Sequence, residues 1–137
     1  MRRAFDDKYD ADRTPQGLGA EEVEMIQKSA FGSIQIQGKL FTTDILIYPD
    51  GRIADNWWRR HGHQLTFEDL ENLVSTEPEV IVIGTGVYGR MQPEPGLEAA
   101  LKTRGITLLM DITAEAVAHF NRLRSSRKTG AGFHLTC

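Results

Sequence analysis

The stretch "EVIVIG", Glu79 to Gly84, constrains this chain more than any other. Four consecutive Val and Ile residues leave no polar face for water, so the segment reads as a strand covered on both sides. A strand of that kind needs a layer above its sheet and another below it. The flanking sequence supplies helical patterns. "TFEDLENLVS" precedes it, with Thr66 as N-cap, acids in the first turn, and Phe67, Leu70, Leu73 and Val74 on one face. "PGLEAALKTRG" follows, with Pro95 at the first helical position, Lys102 and Arg104 in the last turn and Gly105 as C-terminal cap. "ITLLM" reads as the next buried strand. "TAEAVAHFNRLRSS" reads as a helix capped by Thr113, with Ala116, Val117, Phe120 and Leu123 inward, and "GFHLT" as a last strand. The order β-α-β-α-β with right-handed crossovers predicts parallel neighbours and helices packed on the sheet.

The first half has a different period. In "SIQIQG", Ile34 and Ile36 alternate with Gln35 and Gln37, the mark of a half-buried strand. "KLFTTDILIYPDGR" continues as a second strand ending at the turn Pro49-Asp50-Gly51, and "RIADNWW" reads as a third. Together they predict an antiparallel meander. Residues 1–28 hold no sustained period and are punctuated by Pro15, Gly17 and Gly19. They read as an irregular arm that pairs at most briefly near "EMIQK". The expected architecture is one compact α/β domain over 29–137: a mixed sheet with an antiparallel N-terminal meander followed by β-α-β-α-β.

Composition narrows the partners. Of the 137 residues 40% are apolar and 26% charged, enough for a core and far from a disordered chain. A net charge of -3 offers no basic field to nucleic acid or to an anionic membrane. No apolar run reaches transmembrane length. "MRRAFDDKYDADR" has no apolar stretch behind its arginines and is rich in aspartate, so it reads as neither signal nor transit peptide. A single cysteine, Cys137, fits a reducing compartment. These features point to a soluble, cytoplasmic protein with no membrane insertion.

The loop "GTGVYGRMQPEP" contains Gly84-x-Gly86-x-x-Gly89 directly after the buried strand, and Asp111 ends the next strand about where a ribose-binding acid belongs. A dinucleotide fingerprint needs its helix to open within the loop, so that terminal amides meet the pyrophosphate. Here Pro93 and Pro95 postpone the helix by about two turns. The third glycine also sits in the loop, and only 26 residues follow Asp111. The glycines therefore read chiefly as a bend leaving a buried strand. A ligand- or partner-binding loop at the carboxyl end of the sheet is the second reading.

Three further groups stand out. In "NWWRRHGH", neighbouring Trp57 and Trp58 cannot both enter one core from a strand, so one indole faces outward or lines a cleft. Arg59 and Arg60 beside it suggest a surface that grips an anion or a protein partner. His61, His63, His134 and Cys137 include two possible ligand pairs, but the pairs are distant in sequence, and no metal or other cofactor is expected. The Cys137 thiol lies beside its own α-carboxylate, a charge that disfavours thiolate, so packing rather than catalysis is its expected role. Asp44 sits among apolar strand residues and reads as a candidate paired carboxylate with an unidentified partner.

"WWRRHGH", "DLENLVSTEPEVIVIGTGVYGRM", "LKTRGITLLMDITAEAVAHFNRL" and the closing "GFHLTC", in this order and spacing, resemble the Mth-domain family. That family includes the mitochondrial respiratory complex I assembly factor of the assembly-factor-three type and the adipogenesis-associated Mth-domain protein. The resemblance covers roughly residues 31–137. It implies a compact α/β domain with a mixed sheet, no established enzymatic activity for most members, and, for the mitochondrial member, action by protein contact. The family-like positions are Trp58, Arg59, Gly84, Thr85, Gly86, His134 and Cys137, expected around one cleft at the loop end of the sheet. The start of the chain lacks a mitochondrial targeting segment, which points to a prokaryotic or cytosolic member. The reading that follows is a non-catalytic protein-binding or assembly-factor-like protein. The alternative is a small-molecule or anion site, or an enzyme, using the Gly84–Gly89 loop with Arg59 or Arg90 as counter-charge.

Overall fold

The computed structural model describes residues 24–137, so most of the expected N-terminal arm lies outside the described residues. In chain order the elements are β1 (Ile26–Ala30), β2 (Ser33–Ile36), β3 (Lys39–Phe41), β4 (Ile45–Ile47), β5 (Ile53–Ala54), β6 (Gln64–Leu65), α1 (Glu71–Val74), β7 (Val80–Thr85), β8 (Gln92–Pro93), α2 (Leu97–Thr103), β9 (Thr107–Asp111), α3 (Thr113–Leu123) and β10 (Thr129–His134). They form a five-stranded sheet in the order β5-β4-β10-β7-β9, an antiparallel sheet β1-β2-β3, and a small parallel pair β6-β8. β10 runs parallel to β7 and antiparallel to β4, while β7 runs parallel to β9. The fold is the expected α/β domain with a mixed central sheet.

β7 behaves as its composition demands. All six of its residues are buried. Val80 and Val82 face one core with Ile26, Ile34, Ile36, Phe120 and Phe133, and Ile81 and Ile83 face a second core with Trp57, Leu65, Leu73 and Leu101. The first core lies under α3 and the β1–β2 hairpin. Asn121 of α3 ties that hairpin down, accepting from Ile26 N–H at 3.1 Å and donating to Ile26 C=O at 2.9 Å. β10 places Gly130 and Gly132 on the second face because side chains lie flat against it. A Cβ at Gly132 would stand 2.8 Å from the Trp57 ring, and one at Gly130 would stand 3.0 Å from Leu73.

The structure departs from the sequence reading in five places. The strand expected to run on from Lys39 is two strands in two sheets, broken at Thr42–Asp44. Those residues hold other parts of the chain: Thr43 Oγ1 accepts from Asn56 N–H, and Asp44 C=O accepts from Trp57 N–H. The third strand is only Ile53–Ala54, so the tryptophans sit in a loop. The brief pairing expected near "EMIQK" is a five-residue strand, Ile26–Ala30, that runs across the expected boundary at residue 29, with Met25 and Ile26 buried. Pro95 precedes α2, whose N-cap is Gly96 in a left-handed conformation. Finally, among the described residues β9 is an edge strand with every residue partly or fully exposed, where a buried strand was expected.

Candidate functional site

The carboxyl ends of β7 and β10 bring together most of the residues singled out by sequence. Asp44, at the break before β4, organises them. Its Oδ2 accepts from Arg59 Nη2 at 2.8 Å and from His134 Nδ1 at 2.7 Å, and its Oδ1 accepts from Leu135 N–H at 2.8 Å. This shared oxygen holds the proton of His134 on Nδ1 and keeps two donor nitrogens, Arg59 Nη2 and His134 Nδ1, only 3.1 Å apart. Burial alone would raise the Asp44 carboxyl. The hydrogen bonds from His134, Leu135 N–H and Arg59 outweigh it and hold the group below the ordinary aspartate range. The Arg59 guanidinium lies over Trp57, with its carbon 4.8 Å from the ring centroid.

Arg59 therefore does not serve as the exposed grip expected of it. Its side chain is 6% exposed, and its Nε and Nη1 are buried without a hydrogen-bond partner against the indole face. His134 Nε2 is likewise buried and unpartnered. No hydroxyl or thiol bonds to Nε2 among the described residues, and the Asp44–His134 pair fastens β10 to the Asp44 loop. His63 approaches from β6's side: its Nε2 is 3.7 Å from Cys137 Sγ, and its ring centroid is 6.3 Å from that of His134. The distant histidine and cysteine pairs thus do meet in part, while His61 lies exposed in the preceding turn. Among the described residues no group of three or more His, Cys, Asp or Glu side chains could hold a metal ion.

The glycine loop is filled by the chain itself. Gly86 N–H donates to Thr113 Oγ1 (3.0 Å), Val87 N–H to Thr136 C=O (2.7 Å), Gly89 N–H to Gly86 C=O (3.2 Å), Arg90 N–H to Cys137 C=O (3.3 Å) and Met91 N–H to Thr85 C=O (3.1 Å). Of the six amides from Gly86 to Met91, only that of Tyr88 lacks an acceptor among the described residues. Gly86 has φ +108°, and a Cβ there would meet Cys137 C=O at 2.6 Å, so the glycine exists to admit the last residues of the chain. Thr85 Oγ1 donates to Asp111 C=O. Thr113 serves as a clamp rather than the expected cap: its hydroxyl receives Gly86 N–H and donates to His134 C=O at 2.6 Å. Arg90 contributes only its backbone, and its side chain is exposed.

Trp58 stands apart from this cluster. It is 85% exposed and borders an open hollow of about 640 Å³ with Leu46, Tyr48, Ala54, Arg60 and Asn72, on the second face of the sheet. The loop beneath it is firmly held by Asp69, a residue the sequence did not flag. Asp69 C=O accepts from Trp57 Nε1 at 3.2 Å, and its carboxylate accepts from Arg60 N–H at 3.0 Å and Thr66 N–H at 2.8 Å. Thr66 Oγ1 takes Asp69 N–H in return, a capping box readable as Thr66-x-x-Asp69.

Residues 26–134 match the family described as a protein of unknown function (DUF498/DUF598). The chain belongs to the DUF498/DUF598 family. Solved relatives share its architecture over nearly their whole length. PH1505, a conserved hypothetical protein from Pyrococcus horikoshii, is 30% identical, with 82% of this chain covering 98% of that one at a TM-score of 0.70. MT938 is also 30% identical, with 84% of this chain covering all of it (100%) at a TM-score of 0.69. A Mth938-like domain protein of Bordetella pertussis shares the fold at 17% identity, covering 88% of this chain and 90% of its own at a TM-score of 0.68. The Mth-domain resemblance read from the sequence is thus shown at the level of family and fold. No helix among the described residues of this DUF498/DUF598 member is long and apolar enough to cross a membrane.

Proposed function

We propose that this chain is a non-catalytic protein-binding domain, acting by contact in the manner of an assembly factor, with Trp58 as its anchor. The observation that carries the reading is an indole 85% exposed on a loop whose neighbours are fixed. Trp57 and Arg59, on either side, are locked into the protein by Asp69 and Asp44. A large apolar side chain carried on an already ordered loop spares docking the cost of ordering that loop. The neighbouring hollow, with Tyr48 beside it, gives a partner's side chain somewhere to lodge. The anion-cradle alternative draws no support from the glycine loop, because its amides are bonded internally.

The test compares affinity isolates from the source cells for the natural chain, Trp58→Ala, and Arg124→Ala, whose exposed side chain lies at the end of α3 on the opposite face. Proteins retained by Arg124→Ala and depleted about tenfold or more by Trp58→Ala are the expected result, corresponding to a hot-spot loss above about 1.4 kcal/mol. Respiratory-complex subunits among them would extend the reading to complex assembly. Identical partner sets for all three chains would sink it.

A further inference from the structure

We propose that two copies of this chain pair edge to edge through β9, antiparallel about a two-fold axis at Leu109. Among the described residues β9 ends the five-stranded sheet and bonds only to β7. Thr107 turns its N–H inward to Glu79 C=O, and Asp111 turns its C=O inward to Thr85 Oγ1. By strand alternation, Leu108 and Met110 turn their N–H and C=O groups outward. The next outward amide, Ile112 N–H, is already taken by Asp111 Oδ1, so the free edge spans the two residues on either side of Leu109. A strand with this edge and no Lys, Pro or bulge to guard it is a template for another strand. Tyr88 (67% exposed) and Ile112 (39% exposed) extend the edge as an apolar rim at its carboxyl end, beside a hollow of about 600 Å³.

Charge selects a second copy as the occupant. α2 runs alongside β9, so Lys102 and Arg104, the latter over the Phe67 ring, lie before the start of the strand, while at its end Glu98 shares the groove with Asp111, whose carboxylate also bonds His119 at 3.1 Å. An antiparallel two-fold sets each copy's basic end against the other's acidic end, at both ends at once. The same operator makes Leu108 and the partner's Met110 a hydrogen-bonded pair, twice. It leaves Leu109 facing its symmetry mate in the close, non-hydrogen-bonded position, and Thr107 opposite the partner's Asp111. The result is one continuous ten-stranded sheet, twice the five of each copy.

Sedimentation equilibrium of the full chain across the micromolar range tests this. The expected species is a dimer of twice the 15.4 kDa protomer mass. Met110→Pro removes one outward donor per copy and leaves the inward ladder intact, and it should weaken dimerisation by about ten- to a hundredfold. Lys102→Glu reverses one exposed charge and should weaken it as well. Leu109→Cys in a Cys137→Ser background should form an intermolecular disulfide across the axis. Trp58→Ala should leave the dimer unchanged, separating this edge from the Trp58 surface. A monomer at every concentration overturns the proposal. So does a dimer indifferent to Met110→Pro and to the charge reversal, or one that never cross-links at residue 109.

Discussion

Replacing Asp44 by Asn should damage this protein more than removing its cationic partner. In Asp44→Asn the Arg59 guanidinium, 6% exposed, stays buried with no counter-charge, and the new amide nitrogen faces two donors, Arg59 Nη2 and His134 Nδ1. Leaving one member of a buried ion pair alone costs about 3–5 kcal/mol. In Arg59→Met, Asp44 keeps His134 and Leu135 N–H as donors, and the aliphatic stem still packs on Trp57. The loss there is the pair and the cation–π contact, about 1–2 kcal/mol. Urea unfolding followed by tryptophan fluorescence, with m-values checked for constancy, measures both. A second signature lies in pH. The folded Asp44 carboxyl sits below its ordinary value, so its stabilisation is complete above the unfolded value and lost as pH falls through the folded one. Below about pH 5 the stability of Asp44→Asn should therefore fall less steeply than that of the natural chain. If Arg59→Met costs as much as Asp44→Asn, or if Asp44→Asn costs under about 1 kcal/mol, the account of this cluster is wrong.

Gly86→Ala should cost about 3 kcal/mol or more, combining a left-handed backbone with a Cβ driven into the Thr136–Cys137 backbone at 2.6–2.9 Å. Gly96→Ala, with φ +85° and no atom within 4 Å, should cost about 1–2 kcal/mol by the same denaturation assay, and equal losses would refute the packing argument. Trp58→Phe should leave a blue-shifted emission that iodide barely quenches, since the remaining Trp57 is 9% exposed. Efficient quenching would show that the two indoles have been assigned the wrong environments.

Local chemistry made much of the fold readable. Uninterrupted Val and Ile announced β7, alternation announced β2, and the apolar face of "AVAHFNRL" announced α3. What escaped depends on residues far apart in the chain. β9 reads as a buried strand like β7, and only the absence of a further neighbour among the described residues makes it an edge. The Thr42–Asp44 interruption carries no Gly or Pro. It exists because Asp44 bonds His134, Leu135 and Arg59, the first two of them about ninety residues away. One indole does turn outward, but from a loop rather than by the strand alternation expected, and the burial of Arg59 was not legible, since its partner is Asp44. Thr113 looked like a helix cap because the helix does start there, but its hydroxyl answers to Gly86 and His134 instead. The glycine loop resembled a phosphate cradle because spacing records where glycines stand, not what already fills the space beside them.

β10 is the last strand in sequence and the middle one in space. While the chain is being synthesised, β4 and β7 therefore emerge with the slot between them empty, and neither can complete its ladder until residues near 130 are released. Both hydrophobic faces wait on that insertion, so the central sheet must close largely after translation has passed it. Until that strand arrives, a nascent domain of this kind keeps two half-paired strands open to its surroundings.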